Sequence, residues 1–460
     1  AETGKAVLNS KSGSVTMQNV TADQVVDIDA AQDITADGNV TSNNGDITLD
    51  AGGNITTNSI VNALNNVIAN ANGNIATNGD VTAETGKAVL NSKSGSVTMQ
   101  NVTADQVVDI DAAQDITADG NVTSNNGDIT LDAGGNITTN SIVNALNNVI
   151  ANANGNIATN GDVTAETGKA ALNSKSGSVT MQNVAGNSEV DIDAVQDITA
   201  DGNVTSNNGD ITLDAGGSIT TNSIVNALNN VIANANGNIA TNGDVTAQNG
   251  RAVLNSKSGS VTMQNVTANS EVDIDAAQNI TADGNLISNN GDITLDAGGS
   301  ITTNSIVNAL NNVIANANGN IATNGDVTAE TGKAALNSKS GSVTMQNVAG
   351  NSEVDIDAAQ DITADGNLTS NNGDITLDAG GSITTNSIVN AFNNVIANAN
   401  GNIATNGDVT AQNGKAVLNS KSGSVTMQNV TGNSEVDIDA AQDITADGNL
   451  TSNNGDITLD

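Results

Sequence analysis

The sequence predicts an all-β fold, a parallel β-helix, from three observations. The block of residues 1–82 recurs along the chain, and each block divides into four similar segments. Each segment of about 20 residues holds three short runs in which aliphatic and polar residues alternate, and alternation of period two indicates β-strands. Three short strands in every segment, with no helical period between them, are typical of a roughly triangular β-helical coil.

The long repeat sets the predicted domain organisation. AETGKAVLNSKSGSVTMQN begins at Ala1 and recurs unchanged from Ala83, and it returns from Ala165 with Ala171 in place of Val; residues 1–82 and 83–164 are identical. The superrepeats are 1–82, 83–164, 165–246, 247–328 and 329–410, with a partial sixth at 411–460. Since neighbouring coils lie about 4.8 Å apart, we expect residues 1–460 to form one continuous β-helical rod about 105 to 110 Å long. We expect this rod to be a fragment of a longer chain.

The composition excludes most kinds of catalyst. The 460 residues include no Cys, His, Pro, Trp or Tyr and one Phe. Disulfides, thiol nucleophiles and the commonest general base and metal ligand are therefore absent. With 50 acidic and 12 basic residues the net charge is −38, which argues against binding to nucleic acid. No apolar run is long enough to cross a membrane, and the sequence predicts no enzyme.

Aligning the segments predicts which side chains stack inside the coil. One expected inward column is Val26, Ile47 and Ile68, and the column beside it is Ile28, Leu49 and Ala69 or a near neighbour of Ala69. On the second strand the expected column is Ile34, Ile55 and Ile75. The expected corner columns are Asp37, Asn58 and Asn78, and Asp33, Asn54 and Asn74, with amides bonded along the axis. Gly and Asn are expected to supply positive φ angles at the corners. Phe392, which replaces a Leu of the other superrepeats, is interpreted as tolerated drift.

The same alignment places Asp29 beside Asp50 in the next coil, about 4.8 Å away. Stacked like charges cost energy unless they are screened, protonated or bridged by a cation, and Lys11 is expected to offset part of the repulsion. The twelve residues concerned are Asp29, Asp50, Asp111, Asp132, Asp193, Asp214, Asp275, Asp296, Asp357, Asp378, Asp439 and Asp460. Two interpretations stay open, a weak Ca²⁺ site and a solvated acidic stripe. No EF-hand or calcium-binding nonapeptide motif is present, and a melting temperature with and without chelator distinguishes them.

Two further hypotheses are weaker. Asp27 and Asp29 alternate with inward residues on one outer face, about 7 Å apart, which is near the spacing of an inverting glycosidase pair. No apolar pocket or aromatic platform accompanies them, so catalysis is disfavoured. Outward Thr48, Thr56 and Thr117 raise the idea of an ice-binding face. It too is disfavoured, because these columns are expected to mix Thr with Asp, Asn and Ala.

The coil motifs also carry a family resemblance. GDITLDAGGNI from Gly45, with its relatives DIDAAQDITADGN and NVIANANGNIATNGD, resembles the repeats of the filamentous haemagglutinin family, the exoproteins of Gram-negative two-partner secretion systems. The similarity covers essentially the whole chain at the level of the single coil. It implies a right-handed parallel β-helix, export through an outer-membrane secretion pore, and a role as an adhesin shaft or surface fibre. The secretion domain and any tip domain of that family are missing, so no receptor specificity carries over.

These observations predict an extracellular structural rod, the shaft or spacer of a secreted bacterial adhesin or cell-surface fibre. The alternative is a repeated lateral binding module for glycans, divalent cations or identical rods. Deleting whole superrepeats separates the two, since a spacer loses only reach whereas a lateral binder loses avidity in proportion. The expected partners are identical rods, end to end or side by side, and the secretion pore during export. No cofactor other than Ca²⁺ comes into question.

Overall fold

The computed structural model describes residues 1–460 as two units, Ala1–Leu228 and Asn229–Asp460. Each unit is a parallel β-solenoid in which every regular element is a strand. Three strands make one coil, and corresponding strands of successive coils pair in parallel. The predicted parallel β-helical fold class is therefore confirmed. A single continuous rod over residues 1–460 stays a prediction. No helix that could span a membrane is present.

Each coil contributes one strand to each of three sheets. Sheet A takes the first and longest strand of the coil, and sheets B and C take the shorter second and third strands. In the first superrepeat the strands are Ala6–Ser10, Val15–Met17, Val20–Ala22, Val26–Ala30, Ile34–Ala36, Val40–Ser42, Ile47–Ala51, Ile55–Thr57, Val61–Ala63, Val67–Ala71, Ile75–Thr77 and Val81–Ala83. The same strands recur in every superrepeat of both units, apart from one difference in sheet A.

That difference is one extra residue at the start of some sheet A strands. The extended strands are Lys169–Ser174, Glu189–Ala194, Arg251–Ser256, Glu271–Ala276, Lys333–Ser338, Glu353–Ala358, Lys415–Ser420 and Glu435–Ala440. The extended strands pair two by two along the chain. In each pair the first strand begins with Lys or Arg and the second with Glu, and these two residues lie side by side, as Lys169 and Glu189 do. The earlier superrepeats have Val107 where later ones have Glu, and there the strand begins at Val108. The last strand of the chain is Ile457–Leu459.

The core consists of aliphatic columns that run from coil to coil. Val26, Ile28 and Ala30 of one sheet A strand are at most 1% exposed. Ile28 lies beside Leu49, and Leu49 beside Ala69, as predicted. The predicted sheet B column of Ile34, Ile55 and Ile75 is also confirmed. Stacking equivalent residues removes apolar surface from water in every coil without any aromatic side chain.

One predicted column was wrong. Val67, rather than Ile68, lies inward beside Ile47, and Ile68 is a half-buried outward residue beside Thr48. The reason is the polar residue two positions later. Because side chains alternate along a strand, an inward Ile68 would turn Asn70 into the apolar core, where an unpaired amide costs free energy. With Val67 inward, Ala69 and Ala71 fill the interior and Asn70 faces outward.

The expected role of glycine at the corners was also wrong. No residue, glycine included, has a positive φ angle. The glycines instead allow successive coils to approach closely. A Cβ added to Gly45 would lie 1.7 Å from the carbonyl oxygen of Gln24, and one added to Gly52 would lie 2.3 Å from that of Ala31. Any side chain at these corners would therefore collide with the backbone of the preceding coil.

Hydrogen bonds along the axis link the predicted corner columns. Asn58 Nδ2 donates to Asp37 Oδ1 at 2.9 Å, and Asn78 Nδ2 donates to Asn58 Oδ1 at 2.8 Å. In the second column the backbone N–H of Asn54 donates to Asp33 Oδ1 at 2.8 Å, and Asn74 repeats this contact on Asn54 Oδ1 at 2.8 Å. The bonds of the second column satisfy backbone N–H groups that the three sheets leave unpaired, whereas those of the first column join side chains only. Phe392 lies at another corner, partly exposed, and occupies no core position.

The outward Thr residues do not all behave as predicted. Thr48 lies in a mixed sheet A column between Asp27 and Ile68. Thr56 and Thr117 lie on sheet B, where the outward column holds only Thr and, in every fourth coil, Ala. The predicted mixture with Ala is confirmed for these two, and the predicted Asp and Asn were wrong. The sheet B column begins Thr16, Thr35, Thr56, Ala76, Thr98, Thr117 and Thr138. It is one residue wide and lies between the two Asp/Asn corner columns.

Candidate functional site: a groove beside the paired carboxylates

The register confirms that the predicted carboxylates lie side by side. Asp29 and Asp50 occupy equivalent outward positions on neighbouring sheet A strands. The same pairing joins Asp111 with Asp132, Asp193 with Asp214, Asp275 with Asp296, and Asp357 with Asp378. The backbone of Asp460 bonds to Ile438 and Ala440 at 3.0 Å each, which places it beside Asp439. The alternation of segment lengths therefore brings all twelve predicted residues into pairs.

An amide lies on each side of a carboxylate pair. Asn9 Nδ2 donates to Asp29 Oδ2 at 3.2 Å, and Asn70 Nδ2 donates to Asp50 Oδ1 at 2.8 Å. Sheet A thus carries one outward column that reads Asn, Asp, Asp, Asn in each superrepeat. Lys11 forms no ion pair, and the amide of Asn9 lies beside Asp29, so a partial offset of the repulsion by the charge of Lys11 stays a prediction.

A shallow groove runs beside four of the six pairs. In the first superrepeat it has a volume of about 240 Å³, with Asp29, Asp50 and Asn70 on one side and Lys93 at one end. Gly52, the residue after the strand that carries Asp50, lines the groove and has no side chain to fill it. A side chain at this position would collide with the backbone of Ala31 in the preceding coil. Matching grooves hold Asp111, Asp132 and Lys175; Asp275, Asp296 and Lys339; and Asp357, Asp378 and Lys421.

Lys93 is the part of this site that the sequence analysis missed. It follows the strand Ala88–Ser92, is exposed, and forms no ion pair. Its backbone N–H donates to Ala71 O, so it occupies the same column as Asn72 and Gly52. The signal was available in the alignment, since Lys93 stands two residues after Asn91 just as Gly52 stands two after Asp50. The groove therefore combines two carboxylates, amides and one unpaired ammonium group.

Three carboxyls of these pairs have perturbed proton affinities. Partial burial raises the pKa of Asp275 above its ordinary value of 3.8, and the charge of Asp296 raises it further. Burial, then Asp214 and Asp191, raise the pKa of Asp193. Burial also raises the pKa of Asp357, with Asp355 and Asp378 adding to the shift and Lys333 opposing it. Each shift shows that the folded protein holds a proton at these positions more tightly than an isolated Asp does.

The raised pKa values predict that mild acid stabilises the solenoid. A carboxyl with a raised folded-state pKa contributes stability that is fully present below its unfolded pKa and is lost as the pH rises through the folded value. For Asp275 this window opens at about 3.8 and extends upward. We expect the triple variant Asp193→Asn, Asp275→Asn and Asp357→Asn to raise the free energy of unfolding at pH 7 by about 0.5 kcal/mol per site. Its melting temperature should also vary less between pH 4 and pH 7, as measured by circular dichroism.

The control for this variant is Asp283→Asn. The Asp283 carboxylate accepts a hydrogen bond from Asn304 Nδ2 at 2.7 Å, and an Asn at this position would still offer Oδ1 to it, as Asn58 does to Asn78, so the change removes a charge that has no paired carboxylate beside it. We expect no stabilisation from this change. A triple variant that melts below the parent chain at pH 7 would contradict the inferred repulsion.

Ion pairs on sheet A distinguish the later superrepeats. Lys169 Nζ lies 2.7 Å from Asp191 Oδ2 and 3.5 Å from Glu189 Oε2. Burial acts to lower the pKa of Lys169, but the hydrogen bond and charge of Asp191 and the charge of Glu189 outweigh it and raise the pKa. Corresponding pairs join Lys333 with Glu353 and Asp355, Arg251 with Glu271, and Lys415 with Glu435. These pairs are partly exposed, so each contributes little to stability.

The geometry gives little support to a metal centre or a catalytic pair. No group of three or more His, Cys, Asp or Glu residues that could hold a metal ion occurs. An Asp pair offers two carboxylates, whereas Ca²⁺ takes six to eight oxygen ligands, so a calcium site stays a prediction. Asp27 and Asp29 lie on the exposed face of one strand, with Thr48 and Asp50 beside them in the next coil. At the position equivalent to Asp27 in the second superrepeat, partial burial raises the pKa of Asp109 and the charges of Asp132 and Asp111 raise it further, while the charge of Lys87 opposes the shift.

Neither a protein-family model nor a curated protein sequence matches this chain. The resemblance to filamentous haemagglutinin repeats therefore stays a prediction that rests on the coil motifs.

Proposed function

We propose that the chain is a non-catalytic structural module, the shaft or spacer of a secreted bacterial surface protein. The observation that carries the proposal is the equivalence of the coils within each unit. Hydrogen bonds outside the strands join residues of neighbouring coils, apart from a few short contacts within corners. Stability is then a sum of nearest-neighbour terms, and the number of coils can change without redesign of a core.

The secreted, extracellular location in this proposal is supported by the composition of the chain and by its family resemblance. A chain without Cys forms no disulfides that would obstruct export in an unfolded state. A net charge of −38 opposes collapse before folding and nonspecific association afterwards. The resemblance to filamentous haemagglutinin repeats supports an extracellular location on a Gram-negative cell and passage through an outer-membrane secretion pore.

Deletion of residues 83–164 tests the spacer role. This segment repeats residues 1–82 without change, so joining Thr82 to Ala165 keeps every coil-to-coil junction native. We expect an unchanged melting temperature and the same circular dichroism per residue. Unit 1 should shorten by about 19 Å, the rise of four coils, as measured by small-angle scattering. A chain that unfolds after this deletion would contradict the proposal.

The alternative, a lateral binder of glycans or cations, is supported by the repeated groove. It makes a different prediction for the same variant. Avidity for a multivalent glycan surface or for Ca²⁺ should fall with each superrepeat removed, whereas a spacer should show no such binding.

A further inference from the structure

The outward face of sheet A is divided into two halves in every superrepeat. Two successive coils present carboxylates, from Asp27, Asp29 and Asp50. In the next two coils the column of Asp27 continues with the apolar side chains of Ile68 and Val89, which are half-buried neighbours; Ala171 and Ala335 take the place of Val89 in two later superrepeats. We call these the acidic half and the apolar half. The division recurs in each superrepeat within each unit.

The apolar half also carries the cations. Lys87 and Lys93 flank the strand Ala88–Ser92, from which Val89 projects. All twelve Lys and Arg residues of the chain occupy these two flanking positions of their superrepeats. Sheets B and C and their other corners present carboxylates, such as Asp37 and Asp80, and no base. Sheet A is therefore the one face where positive and negative groups are both displayed.

At least one of the two cations in each superrepeat has no ion-pair partner within its own chain. Lys93 and its equivalents are exposed and form no ion pair; they are Lys11, Lys93, Lys175, Lys257, Lys339 and Lys421. The Asp29 and Asp50 carboxylates likewise form no ion pair, and the groove beside them, which Lys93 of the same chain also lines, has a volume of about 240 Å³. The face thus displays an unpaired ammonium group and an unneutralised carboxylate pair at one common period.

We propose that sheet A is an interface between two copies of this chain, in which the apolar half of each copy lies on the acidic half of the other. The Lys93 side chain of one copy then enters the groove beside Asp29 and Asp50 of its partner. A two-fold axis in the plane of the interface, perpendicular to the solenoid axis and at the boundary between the two halves, produces this arrangement. It places the apolar half of each copy on the acidic half of the other, so the contact is self-complementary. Equal periods let the match repeat in successive superrepeats. This inference goes beyond the spacer function and does not depend on it.

The charge and the area of the face both support a second copy as the occupant. Two chains of charge −38 repel each other over any face that carries only carboxylates, whereas complementary charges on sheet A favour one register. A sheet A strand is about 16 Å long and four coils rise about 19 Å, so a superrepeat offers about 300 Å². A stable interface takes about 800 Å² from each partner. Nearly three superrepeats reach that area, and each unit is about that long.

Sedimentation of the full chain at low and high ionic strength tests the pairing. We expect a dimer in low salt that dissociates in molar salt, because charge complementarity is screened. Replacing the six unpaired Lys residues with Gln should raise the dissociation constant about tenfold or more. The matched control places six Glu residues on sheet B, at Thr16, Thr98, Thr180, Thr262, Thr344 and Thr426. Both variants make the net charge more negative by six, and we expect only the first to lose pairing.

A charge exchange tests the proposed register directly. One chain carries Lys→Glu at the six unpaired positions, and the other carries Asp→Lys at Asp50, Asp132, Asp214, Asp296, Asp378 and Asp460. Each should pair weakly with itself, and an equimolar mixture should form the mixed dimer. Circular dichroism confirms that every variant is folded, since all these side chains point outward.

Three results would overturn the proposal. They are a parent chain that stays monomeric in low salt, a dimer that the Lys→Gln and Thr→Glu variants weaken equally, and a dimer that forms only after Ca²⁺ is added. The last would make the Asp pairs a cation bridge between chains. None of these results would affect the spacer function, which the superrepeat deletion tests separately.

Discussion

Substituting Ala for Gly127 is expected to lower the free energy of unfolding by about 3 kcal/mol, at the upper end of the usual cost of overpacking. An added Cβ would lie 1.4 Å from the carbonyl oxygen of Gln106 and 2.4 Å from its carbonyl carbon. Backbone atoms of the preceding coil cannot move aside as a flexible side chain can, so the two coils must separate. Urea unfolding measures the loss. Hydrogen exchange should show it concentrated around residues 105–147, because solenoid stability is local.

A matched pair of variants separates steric contact from the intrinsic cost of losing glycine. Gly13 and Gly95 occupy the same position in identical superrepeats. A Cβ on Gly13 would meet nothing closer than Ser10 Oγ at 3.5 Å, whereas one on Gly95 would lie 2.2 Å from Asn74 Oδ1 and 2.8 Å from Gly73 C. We expect Gly13→Ala to change stability by less than about 0.5 kcal/mol. Equal losses at both positions would show that coil-to-coil contact is not the cause.

The coils and most core columns could be predicted because the inward positions are almost all aliphatic and alternate strictly. The alignment failed at Val67, Ile68 and Ala69, a run of three apolar residues in which alternation carries no information. What fixes the register there is Asn70, whose amide stays out of the core. Polar residues that follow an ambiguous run therefore decide the register more firmly than the size of the aliphatic residues does.

The glycines show a different limit of sequence analysis. Gly at a corner meets one of two requirements: a positive φ angle, which Gly can adopt, or the absence of a Cβ. The amino-acid sequence does not show which requirement applies. The structure has no positive φ angle, so the second requirement explains Gly45 and Gly52. The distances between coils decide which requirement applies at each glycine, and a single sequence does not contain those distances.

The paired carboxylates could be predicted, but the groove beside them could not. The alternating lengths of successive segments bring Asp29 beside Asp50, and any correct alignment shows it. The groove depends on how far Lys93 stands from that pair and on the missing side chain at Gly52, both of which follow from the corner geometry. The ion pairs of Lys169 could not be predicted either, because they also depend on local geometry. They form where Lys169 and Glu189 each extend their strand by one residue and so lie side by side.

Buried threonines give the second large prediction. Thr57 and Thr77 lie side by side inside sheet B, at 1% and 3% exposure, between Ala36 and Met99. Their hydroxyl oxygens have no hydrogen-bond partner. The same holds for every residue of the set Thr57, Thr77, Thr139, Thr159, Thr221, Thr241, Thr303, Thr323, Thr385 and Thr405. A buried hydroxyl without a partner costs free energy, whereas Val fills the same space without a polar group.

Replacing all ten buried threonines with Val is therefore expected to raise the free energy of unfolding by about 1 kcal/mol per site. Successive pairs are one superrepeat, or about 19 Å, apart, so their effects should add. Urea unfolding of the Thr57→Val, Thr77→Val chain and of the tenfold variant measures both the gain and its additivity. Thr56→Val is the control, because its outward hydroxyl reaches water, and we expect a change within about 0.5 kcal/mol. A double variant less stable than the parent would mean that these hydroxyls bind a partner inside the coil, such as a buried water, and that the core is less dry than its aliphatic columns imply.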